Sequence, residues 1–184
     1  MRFRQFEAVL FLATVLPLAG SGCGDSLPGQ GIDAGQTVVY RDDWGVPHIY
    51  APTAEAGLYA MGYAQAQDRP EQLLKNFLLA LGEFASIAGE DAIEFDLRSR
   101  RWDHYGTARR HSETIDSNVR RHIRAFVDGM NDFYSQHPND NPSWWKNRKI
   151  DPYMVVAWSR FFLYNWSIDE AYEDLGPLTI LWSF

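Results

Sequence analysis

The sequence predicts a mainly α-helical chain that begins with a β-hairpin, and three observations carry this reading. Two β-prone runs, "TVVYR" from Thr37 and "VPHIY" from Val46, flank the turn sequence "DDWG". Two long stretches place apolar residues three and four apart, the spacing of a helix with one buried face. A third stretch, "YMVVAWSRFFLYNW", follows Asp151-Pro152 and is apolar on nearly every side. With 184 residues, 46% of them hydrophobic and 15% aromatic, the chain is too apolar for disorder. It can bury one sizeable core or supply part of a larger one.

Ahead of the hairpin, Arg2 and Arg4, an apolar run from Ala8 to Ala19 and the small residues "AGSGC" read as an export signal over residues 1–22. The expected location is therefore outside the cytoplasm, periplasmic or membrane-anchored. Cys23 is the only cysteine, so a disulfide within the chain is excluded, and lipidation at Cys23 after cleavage is one reading. Gly20 stands where a lipobox usually carries Leu, which keeps plain secretion as the alternative. Residues 23–36, rich in glycine and polar side chains, read as a flexible linker. The remaining region, 37–184, is the folded part.

Within the hairpin, Pro47 donates nothing to a strand ladder and implies an edge strand, and His48 reads as a locally hydrogen-bonded residue. Thr53 is the expected cap of a helix over Ala54 to Gln67, whose Ala56, Tyr59, Ala60, Tyr63 and Ala64 suit close packing. Asp68 and Glu71 have the spacing of a cap and its reciprocal partner, with Pro70 between them signalling a kink or restart. Leu73, Leu74, Phe77, Leu78, Leu81, Phe84 and Ala85 form the first amphipathic stripe, ended by Gly89. Residues 92–111 read as helix fragments and loop. The second stripe holds Ile115, Val119, Ile123, Phe126, Val127, Met130, Phe133 and Tyr134 and is stopped by "HPNDNP". Trp144 and Trp145 are expected to cover the apolar edge of a neighbouring element. The helix after Asp151-Pro152 must be buried all round, and the closing apolar run "LTILWSF" implies that further chain buries these surfaces.

The charge of −7 argues against nucleic acid as a partner, because phosphate binding needs concentrated Lys and Arg. The basic runs Arg98 to Trp102 and Arg120 to Arg124 are flanked by acids and read as solvated helix faces or ion-pair partners. No HExxH, phosphate-loop or G-x-S-x-G pattern occurs, and His104 and His111 make no metal pair by themselves. Ser117 and Asn118 lie on an exposed helix side with no base implied. No catalytic residue is assigned. The acidic group Asp169, Glu170, Glu173 and Asp174 reads as a solvated segment or as a contributor to a calcium site.

The segments "RDDWGVPHIYA" (Arg41 to Ala51), "GYAQAQDR" (Gly62 to Arg69) and "GEFASIAGED" (Gly82 to Asp91), in that order and spacing, resemble the start of the penicillin acylase family of N-terminal nucleophile hydrolases. The resemblance implies an α+β protein with the four-layer αββα fold when complete, this chain supplying the mainly helical α-chain portion. It implies an exported precursor that cuts itself into an α-chain and a larger β-chain. A new N-terminal Ser outside this sequence then attacks an amide carbonyl with its own α-amino group as base. The expected substrates are small N-acyl amides of the penicillin or acyl-homoserine-lactone type, and the expected partner is the β-chain. The resemblance also places calcium on Glu173, with no organic cofactor, and puts Leu163, Trp166 and Ser167 at the acyl pocket. A truncated or inactive family member acting as a cell-surface binding or scaffold lipoprotein is the alternative.

Overall fold

The computed structural model describes residues 35–145 and 148–175, with backbone alone at 169 and 172–175. Strands β1 (Val38–Arg41) and β2 (Pro47–Tyr50) pair antiparallel, with Val38 opposite Tyr50 and Arg41 opposite Pro47. The turn is built by Asp42. Its backbone amide donates to the Val46 carbonyl (3.2 Å), and its Oδ1 accepts from the Trp44 and Val46 amides at 3.0 and 2.9 Å. Gly45 takes the left-handed conformation (φ 79°) that lets the chain reverse. In a two-stranded sheet each strand is an edge, so Pro47 costs no ladder bond to a further neighbour among the described residues.

Seven helices follow: α1 (Ala54–Asp68), α2 (Pro70–Leu81), α3 (Ala85–Ala88), α4 (Ile93–Trp102), α5 (His104–Arg110), α6 (Ser117–Gln136) and α7 (Pro152–Leu175). Thr53 caps α1 as its sequence predicts, Oγ1 accepting from the Ala56 amide at 3.1 Å. The restart at Pro70 is real, but its chemistry differs from the expected capping box. Arg69 is the N-cap of α2 and makes no side-chain cap bond. Pro70 needs no amide partner at the first helical position, and Asp68 is drawn away by Arg41. The first stripe also stops earlier than Gly89. Gly82, left-handed at φ 67°, ends α2, while Gly89 ends the separate single turn α3. Residues 93–110 prove largely helical, because Asp103 at φ 44° closes α4 and caps α5 within one residue.

The strongest pairing joins α1 to α6. A Cβ on Gly62 would lie 2.0 Å from the Phe126 carbonyl oxygen, and one on Gly129 would lie 2.0 Å from the Tyr59 carbonyl oxygen. The two backbones therefore touch, which only glycine permits at these positions. Tyr59 Oη donates to Asp132 (2.5 Å) and Tyr63 Oη to Gln136 (3.1 Å), latching the same pair on its polar side. Around it sits the core: Leu74, Phe77 and Leu78 from α2, Met130 and Phe133 from α6, and Trp145, Ile150 and Met154. Trp145 is 1% exposed, so it is a core residue rather than an edge cover. Asp151 opens α7 as expected, its Oδ1 accepting from the Tyr153 and Met154 amides at 2.8 and 3.1 Å.

Candidate functional site

Three sequence segments converge on the ends of α1 and α2. Arg41, at the end of β1, donates through Nη1 to the Gly45 carbonyl (2.8 Å) and through Nη2 to Gln67 (2.9 Å). Its Nη2 also lies 2.8 Å from Asp68 Oδ1. One guanidinium thus ties the hairpin to the last turn of α1 and uses its fork geometry to do so. Beside it, His48 Nε2 is 3.0 Å from Asp42 Oδ2. That hydrogen bond holds the Asp42 carboxyl below its usual range, and the role found for His48 is local, as the sequence implies.

The "GEFASIAGED" segment is gripped from α4. Asp96 is buried and accepts the Phe84 and Ala85 amides at 2.8 Å each, while Arg100 Nε donates to the Gly82 carbonyl at 2.7 Å. Glu83 is held by Arg148 at 2.7 Å, and the Arg148 guanidinium lies 4.5 Å from the Trp145 ring centre. These motifs are structural braces.

What they brace is α7. Its first half is buried through Met154 and Ala157 against α2 and α5. On the second half, Leu163, Trp166 and Ser167 fall on one face at helical spacing. Leu163 is 63% exposed, Trp166 61% and Phe162 50%. The expectation of burial on every side therefore fails over this half: the described residues cover one flank, and a large apolar face is left to solvent. Ser167 Oγ donates to the Leu163 carbonyl at 2.8 Å, a bond within the helix that gives the hydroxyl no general base.

The covered flank is aromatic. Trp102 and Tyr164 approach to 4.8 Å between ring centres, and His104 meets Phe161 and Tyr164 edge-on at 5.8 and 5.6 Å. His104 is 2% exposed, and its Nδ1 and the Arg160 Nε have no partner among the described residues. Burial first, and the Arg160 charge second, hold the His104 imidazole below its ordinary range and keep it neutral. Sequence reasoning passed over Phe162, Trp102 and Arg160. The i, i+4 spacing of Phe162 and Trp166, whose rings lie 6.0 Å apart, was the available signal for the first. Trp102 was hidden inside a run read for its charge.

Cys23, the closing run "LTILWSF" and the side chain of Glu173 lie outside the described residues. A calcium ion takes about six to eight oxygens. Among the described residues no group of three His, Cys, Asp or Glu side chains is gathered to hold a metal. The residues described do not by themselves make a calcium site, and no chemical step is derived through one.

Comparison with known proteins places this architecture. The chain is 38% identical over 122 residues to a penicillin acylase 2 proenzyme of Pseudomonas sp. (strain SE83), a match covering 66% of this chain and 15% of the relative. It is 29% identical to an acyl-homoserine lactone acylase of Pseudomonas syringae pv. tomato, over 96% of this chain and 23% of that protein. The chain thus spans less than a quarter of the length of either relative. A thermostable penicillin G acylase from Alcaligenes faecalis shares the fold, with a TM-score of 0.62 at 24% identity over 73% of this chain and 75% of the matched chain. The penicillin amidase family profile matches residues 36–175. Hairpin, helix order and family motifs therefore agree, and the chain belongs to the penicillin amidase family.

Proposed function

We propose that this chain is the α-chain portion of an exported, self-processing acylase that hydrolyses linear amide bonds. The observation that carries the reading is the apolar face of α7, where Phe162, Leu163 and Trp166 stand open on a helix whose other flank is firmly packed. Such a face suits one wall of a pocket for an acyl group, with the opposite wall and the reacting groups supplied by a larger β-chain. The names of the relatives, a penicillin acylase proenzyme and acyl-homoserine lactone acylases, support N-acyl amides as the substrate class and a precursor as the starting form.

In this reading the N-terminal Ser of the β-chain attacks the amide carbonyl, its hydroxyl proton passing to its own α-amino group. The amine leaves with that proton, and water then releases the acid from the acyl-enzyme. Leu163 and Trp166 hold the acyl chain against desolvated surface, and Ser167 lies at the pocket edge. The bulk of Trp166 shortens the pocket and favours small acyl groups. Glu173 contributes one carboxylate to a structural calcium whose other ligands belong to the β-chain. Lipidation at Cys23 would tether the protein after export.

The test is to assay the protein made from its complete gene on a series of N-acyl amides of rising chain length, with Trp166→Ala alongside. Hydrolysis by the parent, with the optimum moving to longer chains in W166A, supports the reading. Absence of hydrolysis across the series, or an optimum indifferent to W166A, contradicts it.

A further inference from the structure

A second feature lies at the opposite end of α7. Between the turn Ser112–Thr114, the first turns of α6 and the start of α7 there is a cleft of about 510 Å³, a size common for small-molecule sites of about 300–1,000 Å³. Val156, on its wall, is ten residues from Trp166. At the helical rise this separates the two regions by about 15 Å.

The lining divides into two kinds. Ile115, Ile123, Tyr153 and Val156 give an apolar wall, and Arg120, Arg121 and Arg124 stand along α6. Two of these cations are committed. Arg120 donates to the Ser112 carbonyl (3.3 Å) and pairs with Glu113, while Arg121 pairs with Glu55 (3.1 Å) and donates to Asn118 (2.9 Å). Arg124 makes no ion pair among the described residues, although it lines the cleft.

The surrounding acids do not neutralise it. Asp116 uses Oδ1 on the Asn118 and Val119 amides, and Asp151 is engaged by the Tyr105 hydroxyl (2.6 Å) and the Tyr153 amide (2.8 Å). Asp128, one turn beyond Arg124, forms no ion pair with it. Arg120 and Arg124 are four residues apart on the same helix face, an arrangement of like charges that destabilises a helix unless an anion lies between them. In a chain of net charge −7, a cleft with a surplus cation above an apolar wall selects its ligand narrowly.

We propose that this cleft binds a small carboxylate with an apolar body, its charge on Arg124 and Arg120 and its hydrocarbon on Ile123, Tyr153 and Val156. The guanidinium fork matches a carboxylate, and the wall removes the body from water.

The protein made from its complete gene is titrated calorimetrically with octanoate, with octanol and with inorganic phosphate. Saturable octanoate binding is expected, with octanol and phosphate each at least tenfold weaker. Arg124→Gln weakens octanoate at least tenfold, Arg124→Lys by less than about threefold, and Trp166→Ala leaves it unchanged. Three results overturn the proposal: no saturable octanoate binding, octanol binding as tight as octanoate, or affinity lost in W166A and kept in R124Q. Arg124 is exposed, so its loss leaves the fold intact by circular dichroism. The comparison of octanoate with octanol on the unaltered protein decides the matter even if R124Q folds poorly.

Discussion

Gly62 on α1 and Gly129 on α6 face each other's helices so closely that a methyl group at either would sit 2.0 Å from a main-chain carbonyl oxygen, that of Phe126 or of Tyr59. Backbone cannot yield as a flexible side chain does. Gly62→Ala and Gly129→Ala are each expected to destabilise the chain by about 3 kcal/mol or more in denaturant melts, through forced separation of the two helices. Gly57 provides the contrast: its added Cβ would meet only Ala51 Cβ at 3.5 Å, an ordinary contact. Gly57→Ala is expected to be neutral or to stabilise by about 0.5–1 kcal/mol, because it removes unfolded-state entropy from a helical position. Equal losses in all three variants would contradict the close-contact account.

The Arg41 bracket predicts a difference between two cations. Arg41→Lys keeps the charge near Asp68 but cannot reach Gln67, Asp68 and the Gly45 carbonyl together. R41K and R41A are both expected to loosen the hairpin, seen as faster amide exchange at Tyr40 and His48. Because the pair is partly exposed, the global cost is only about 1 kcal/mol. Unchanged exchange in R41A would show that the hairpin is held by other contacts.

Burial of neutral His104 gives a pH dependence with a definite sign. Its folded-state pKa lies below the ordinary 6.5, so the unfolded chain takes up the proton more readily. The stability this residue contributes is complete above about pH 6.5 and is lost as pH falls toward the lowered folded value. Asp103, which opposes the shift, and Arg160, which adds to it, are the charged groups facing the ring. Thermal midpoints of the parent should fall from pH 7 to pH 5 more steeply than those of His104→Phe, which preserves the contacts with Phe161 and Tyr164. Parallel curves would contradict the assignment, since the other four histidines remain in both proteins.

Asp96 carries a further prediction. Its two oxygens serve the Phe84 and Ala85 amides from a buried position, so Asp96→Ala leaves both donors unmatched. A loss of about 2–4 kcal/mol is expected, with Gly82 to Gly89 the first segment exposed to protease. A loss under about 0.5 kcal/mol would mean that water replaces the carboxylate.

Much of this was legible in the residues themselves. The hairpin, the Thr53 and Asp151 caps, the break at Pro70 and the two amphipathic stripes are local signals, written in spacing and in side chains that bond to nearby backbone. What escaped was set by distant partners. Asp68 has the spacing of a cap, yet Arg41, 27 residues earlier in the chain, claims it. Gly82 and Gly89 are both plausible stops, and only the approach of Asp96 and Arg100 requires the first to be left-handed. The contacts of Gly62 with α6 cannot be seen from either helix alone. For the site, the sequence singled out Leu163, Trp166 and Ser167, which do share one open face. Their surroundings depend on surfaces that the described residues do not supply.

The central claim is that this family chain is one part of a precursor that divides itself. The most direct measurement is to express the complete gene, resolve the purified product on a denaturing gel and sequence the N-terminus of every fragment. Two chains are predicted, the smaller containing Arg41 to Trp166 and the larger beginning with Ser. A single chain that stays uncut under conditions where the protein is folded would contradict the account.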